Sequence, residues 1–161
     1  MEIKCKMNKM ILTNETDIYT FFEIIDKSEA GSILDVGMFL KRIGSVSRQV
    51  KEKEIPRDRI LTGVDYFEEI QCPVWNNIYD EIYRPEEIFI SENNQRYELA
   101  TVLQLHEYIE EEKYFEMWEW LCGHVSYVLT DYNIDKVKKM IKYMTVLPVT
   151  VDDKSYWFIT L

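Results

Sequence analysis

Apolar residues recur three and four positions apart between Asn14 and Ser28, at Ile18, Phe21, Phe22, Ile24 and Ile25. That spacing predicts a helix, with Asn14 or Thr16 as its cap and Gly31 as the stop signal after it. The pattern then changes. From Ser32 to Phe39 apolar positions are nearly continuous, as suits a parallel strand covered on both faces. A helical stretch follows over Lys41–Lys51, entered through Gly44-Ser45, and Arg59–Phe67 reads as a second strand. Residues 68–75 contain Pro73 and read as irregular. Asn76–Tyr83 alternates as a third strand, and Pro85 opens a short helix or turn. Tyr97–Leu103 is a fourth strand, Glu110–Leu121 an aromatic-rich helix ended by Gly123, and His124–Thr130 a fifth strand. Asn133–Tyr143 has a buried stripe of Ile134, Val137, Met140 and Ile141 and a wet face of lysines. Val146–Val151 and Tyr156–Leu161 close the chain as two strands joined by Asp152-Asp153-Lys154-Ser155, a hairpin signal.

Strand and helix alternate through five strands, which implies a parallel sheet covered on both faces. The closing hairpin brings the count to seven. The expected architecture is three-layer, doubly wound α/β: a mostly parallel seven-stranded sheet with a C-terminal antiparallel hairpin. One domain over residues 1–161 is expected, with 1–13 as an N-terminal extension. No internal repeat or low-complexity segment interrupts it.

Charge narrows the partners. The chain carries 29 acidic and 19 basic residues in 161, for a net charge of −10. Nucleic-acid affinity comes largely from phosphate neutralisation, so DNA or RNA is not the expected partner. No apolar stretch approaches the ~20 residues that span a bilayer, and no signal-peptide pattern opens the chain. A cytoplasmic protein without membrane attachment is expected. Cys5, Cys72 and Cys122 are widely separated and outside any CxxC pattern, which argues against a disulfide framework and against a zinc site.

Four segments carry a resemblance. They are Ile33-Leu34-Asp35-Val36-Gly37, Gly63-Val64-Asp65, Ile78-Tyr79-Asp80-Glu81, and the run from Tyr97 to Ile109. Together with the element order and the closing hairpin, they make residues 13–161 resemble class I S-adenosylmethionine-dependent methyltransferases. The resemblance implies S-adenosylmethionine as cofactor and an unidentified small molecule or protein as methyl acceptor. It implies cofactor contacts at Asp35 and Gly37, where a Cβ would obstruct close backbone approach. Asp65 is implied to accept hydrogen bonds from the ribose hydroxyls, two neighbouring donors suited to one carboxylate. Asp80 is implied to follow the third strand and meet the adenine amino group. Leu103 and Gln104 are implied to open a loop over the cleft.

The sequence departs from the family after Gly37. Where Gly-x-Gly normally continues, Met38-Phe39-Leu40-Lys41-Arg42-Ile43 intervenes before Gly44. Bulky side chains stand where close backbone approach is expected, and the loop reads as longer than usual. Two alternatives follow: a non-catalytic binding or scaffolding module that keeps the fold without the cofactor site, and a binder of nucleotide or phosphate. For the second, Lys41, Arg42, Gly44 and Ser45 precede a helix whose N-terminus attracts anions. His106 is the candidate general base, with Glu107 or Glu98 nearby. Trp118 and Trp120 are two apart on one helix and cannot share a narrow face, so one of them is expected at a partner or dimer surface. The pair of strands 146–161 offers a second edge for a homodimer.

Overall fold

The computed structural model describes residues 15–40, 55–56, 58–67 and 78–161. Helix α1 (Glu15–Ser28) leads into β1 (Ser32–Val36), and Ile60–Val64 forms β2. After β3 (Glu81–Tyr83) comes the single turn α2 (Pro85–Ile88), then β4 (Tyr97–Val102). A 3-10 turn (Leu105–Glu107) precedes α3 (Glu111–His124) and β5 (Val125–Thr130), and α4 (Ile134–Met140) precedes the hairpin of β6 (Thr145–Val151) and β7 (Lys154–Thr160).

The seven strands form one sheet in the order β3-β2-β1-β4-β5-β7-β6. Pairing is parallel from β3 through β5, and β7 runs antiparallel to both β5 and β6. Alternate residues of β1 face opposite layers, as a strand requires. Ile33 joins a core with Phe21 and Ile25 of α1, while Leu34 and Val36 join a core with Trp118 and Leu121 of α3 and Val137 of α4. The two cores are the two faces of a three-layer α/β sandwich, and the architecture expected from the pattern is the one observed.

Boundaries moved for local reasons. Strand β1 stops at Val36, because Met38 takes a left-handed φ of 48° and residues 39 and 40 are already helical. Helix α3 runs through Gly123 to His124, so His124 ends a helix instead of starting a strand. It stacks on Trp120 with ring centroids 4.0 Å apart, and its Nδ1 lies 2.7 Å from the Trp120 carbonyl oxygen. The hairpin strands are longer than expected. The turn needs only Asp152 and Asp153, both at positive φ (47° and 64°), the geometry of a two-residue hairpin.

The tryptophan expectation is corrected. Trp118 and Trp120 are 1% and 7% exposed, so neither stands at a surface. Trp118 packs on Tyr114 within the helix, while Trp120 packs on Phe89 and Tyr97 outside it. No helix among the described residues is long and apolar enough to cross a membrane. The N-terminal extension at 1–13, Cys5, Cys72 and the phosphate-loop candidates Lys41, Arg42, Gly44 and Ser45 lie outside the described residues.

Candidate functional site

Neighbours β1 and β4 are not consecutive in sequence, so chain direction away from the sheet centre reverses between them. In open α/β sheets ligands bind at that reversal, beyond the carboxyl ends of the strands. Four of the residues singled out from the sequence gather there: Gly37 after β1, Asp65 after β2, and Leu103-Gln104 after β4.

The turn after β1 is short and inward-facing. Gly37 has φ +84° and donates its N–H to the Val64 carbonyl at 2.8 Å. Met38, Phe39 and Leu40 are at most 1% exposed, so their bulk lies inside the core and not in the cleft. The Met38 side chain fills the place a Cβ at Gly63 would need, which would sit 2.8 Å from Met38 Cγ. The sequence suggested a lengthened, obstructed loop. Among the described residues the turn is Gly37 and Met38, and residues 39 and 40 are helical; residues 41–43, the rest of that stretch, lie outside the described residues.

Asp35 is fully buried and serves the fold. Its carboxylate accepts from the Tyr79 hydroxyl at 2.6 Å, the Thr101 hydroxyl at 3.0 Å and the Leu40 N–H at 3.4 Å. The last of these caps the helix that starts at Phe39. A carboxylate so engaged organises the β1 turn from below.

Asp65 stands directly after β2, half-buried. Its N–H donates to the Tyr83 carbonyl at 2.8 Å, and its Oδ1 accepts from Phe67 N–H at 2.9 Å, closing a local turn. Tyr66, next in sequence, has a buried hydroxyl with no hydrogen-bond partner, and burial pushes its pKa up. It opens on a cleft of about 230 Å³ on the β3 side of Asp65, walled by Phe89 and Met117, with Arg84 and Lys113 at its lining.

Asp80 is a correction. It precedes β3 and does not follow it: residues 78–80 run as an irregular approach, and only Glu81–Tyr83 pairs with β2. Its carboxylate accepts from Leu61 N–H at 2.8 Å, and its own N–H donates to the Leu61 carbonyl at 2.9 Å. That is the amino end of the sheet, remote from the cleft where an adenine contact was expected. Glu98 lies at the same wrong end for a partner of His106, accepting from Gly31 N–H at 3.2 Å at the start of β4. His106 itself packs between Tyr132 and Tyr114, with centroids 4.9 and 6.0 Å away, and its Nδ1 is buried without a partner.

A polar cluster that the sequence reading missed lies beyond the carboxyl ends of β4 and β5. Asp17 of α1 is fully buried. It accepts from Lys154 Nζ at 2.6 Å, from the Tyr156 hydroxyl and from the Gln104 side-chain amide. Asp131, just after β5, accepts the Gln104 N–H at 3.0 Å and lies 3.8 Å from Lys154. Two buried carboxylates thus share one ammonium. The signal for Asp17 was legible: it sits four residues before Phe21 and eight before Ile25, on the buried stripe of α1.

Burial raises the Asp131 pKa above the ordinary 3.8, and the Asp17 charge adds to this, against the opposing pull of Gln104 N–H, Lys154 and His106. A carboxyl whose pKa is higher folded than unfolded contributes stability below its unfolded value and loses that contribution as pH rises through the folded one. Asp131→Asn, which keeps the acceptor and removes the charge, should therefore melt at or above the wild-type temperature at neutral pH. The advantage should vanish as pH falls towards 4. Calorimetric melting temperatures of both proteins across that range test this, and a difference that grows on acidification contradicts it.

No protein-family model and no curated protein matches the chain in sequence. Solved structures match in fold. The methyltransferase domain of bacterial CtHen1 superposes with TM-score 0.62 at 14% identity, covering 92% of this chain and 99% of that one. The O-methyltransferase TomG from Streptomyces achromogenes, solved in complex with SAM, gives 0.63 at 10% identity over 98% of this chain and 86% of its own. The 16S rRNA methylase RmtB gives 0.57 at 14% identity, with 96% and 64% covered. The chain has the fold of class I S-adenosylmethionine-dependent methyltransferases.

Proposed function

We propose that this chain binds S-adenosylmethionine across the carboxyl ends of β1 and β2 and transfers its methyl group to a small molecule or a protein. The position of Asp65 carries the reading. It is a half-buried carboxylate at the carboxyl end of β2, one strand from Gly37 and the β1–β4 reversal. A nucleoside ribose offers two adjacent hydroxyl donors, and a carboxylate offers acceptors for both.

The surroundings fit. On the β3 side of Asp65 the cleft beside Tyr66 and Phe89 offers aromatic surface and a buried, unpartnered hydroxyl to a base. On the other side the buried Gly37-Met38 turn keeps its side-chain bulk in the core, with Leu105 packed against Gly37. Asp35 is fully buried and the Gln104 amide is held by Asp17, so the fit rests on the half-buried Asp65 and the turn. When bound, the cofactor supplies a methyl group activated by its sulfonium. The chain's own part is to hold and orient it in line with the acceptor, which suffices for much of the rate. The net charge of −10 disfavours a nucleic-acid acceptor.

S-adenosylhomocysteine should raise the melting temperature of the wild type by mass action. Asp65→Ala should weaken its binding roughly tenfold or more, as loss of hydrogen bonds to a charged group implies, with an unchanged circular dichroism spectrum. Equal affinities for the two proteins would overturn the ribose assignment.

A further inference from the structure

Gln104 follows β4 with φ 57°, in the left-handed region that glycine favours. Two carboxylates from separate elements fasten it there. Asp131 takes the backbone N–H through both oxygens, at 3.0 and 3.2 Å, and Asp17 takes the side-chain amide. Asp17 is itself anchored by Lys154 and Tyr156 of β7. The next residue, Leu105, is fully buried, and its Cδ1 would lie 2.6 Å from a Cβ on Gly37. The fastened turn therefore forms a wall against the β1 turn, at the strand reversal.

We propose that Gln104 is a positioning residue: bridged between α1 and the end of β5, it holds the 105–107 turn on Gly37 and so sets how a ligand seats at the β1 turn. The inference rests on the reading that this cleft takes S-adenosylmethionine. The groups that face the bridge are Asp17 from α1, Lys154 and Tyr156 from β7, Asp131 after β5, and His106 from the turn itself. Every one of them lies at the carboxyl edge, so the bridge ties the hairpin and the first helix to the wall of the cleft.

Gln104→Gly is the informative change. Glycine keeps the left-handed backbone without strain, so the fold is retained while the amide bridge to Asp17 is lost. Amide hydrogen exchange at residues 105–108 of the unliganded protein should quicken on the order of tenfold, a local opening. Affinity for S-adenosylhomocysteine should fall roughly fivefold, because a preorganised wall is lost. Gln104→Lys returns a donor to Asp17 and should restore both readouts. Gln104→Glu sets a third carboxylate there and should worsen them. Unchanged exchange in Gln104→Gly overturns the bridge, and quickened exchange with unchanged affinity overturns its positioning role. If the wild type binds no S-adenosylhomocysteine, the cofactor reading and the positioning role fall together. The exchange comparison then still decides whether Gln104 holds the turn.

Discussion

Asp35→Ala should lower the unfolding free energy by about 3–5 kcal/mol, because each buried donor that loses its acceptor costs roughly 1–3 kcal/mol. The substitution removes the acceptor of three donors. Tyr79 is 2% exposed and Thr101 fully buried, so neither hydroxyl gains water in exchange. The Leu40 N–H, near the start of a helix, loses its cap as well. Asp35→Asn keeps one acceptor oxygen but introduces a buried NH₂ among donors, and should fall between the two. Urea denaturation followed by tryptophan fluorescence measures the change. A loss of under about 1 kcal/mol, the cost of one ordinary hydrogen bond, would contradict the central place given to Asp35 in the fold. A ligand contact at Asp35 would instead have left stability nearly unchanged and reduced affinity alone.

The second large effect is expected at Gly37. Gly37→Ala meets two obstacles: a backbone at φ +84°, which L residues rarely adopt, and Leu105 Cδ1 at 2.6 Å from the new methyl group. Strain at positive φ and overpacking each cost on the order of 1–3 kcal/mol, so a destabilisation of about 2–6 kcal/mol is expected. The two causes separate in a double-mutant cycle with Leu105→Ala. The steric part should disappear in the Leu105→Ala background and the backbone part should remain, giving a coupling free energy of about 1 kcal/mol or more. Additive effects would mean that Leu105 does not press on Gly37. Gly37 thus answers first to the protein's own packing, and the same packing shapes the cleft.

The layered fold was legible because hydrophobic period reports burial directly. The runs at 33–36 and 99–102 are apolar except at Asp35 and Thr101, as suits strands covered on both faces, and the Asp152-Asp153 hairpin announces itself by its polar pair. The end of β1 was not legible. Met38, Phe39 and Leu40 continue the apolar run, and a helix that buries its first turn reads the same as a strand until a positive φ intervenes. Asp80 failed for a related reason: Ile78 and Tyr79 are buried as strand residues are, yet they approach β3 as irregular chain. Sliding that boundary moves a carboxylate from one end of the sheet to the other. The strand expected over Arg59–Phe67 ends at Val64 as β2, which leaves Asp65 directly after it. The Asp17–Gln104–Asp131 bridge joins residues as many as 87 positions apart, a pairing that only the folded topology creates.

The most direct measurement is an isothermal titration of the purified wild-type protein with S-adenosylhomocysteine at neutral pH. Saturable binding to one site per chain, weakened by Asp65→Ala, is the expected result. No detectable heat or saturation at millimolar ligand would contradict a cofactor site at the carboxyl ends of β1 and β2.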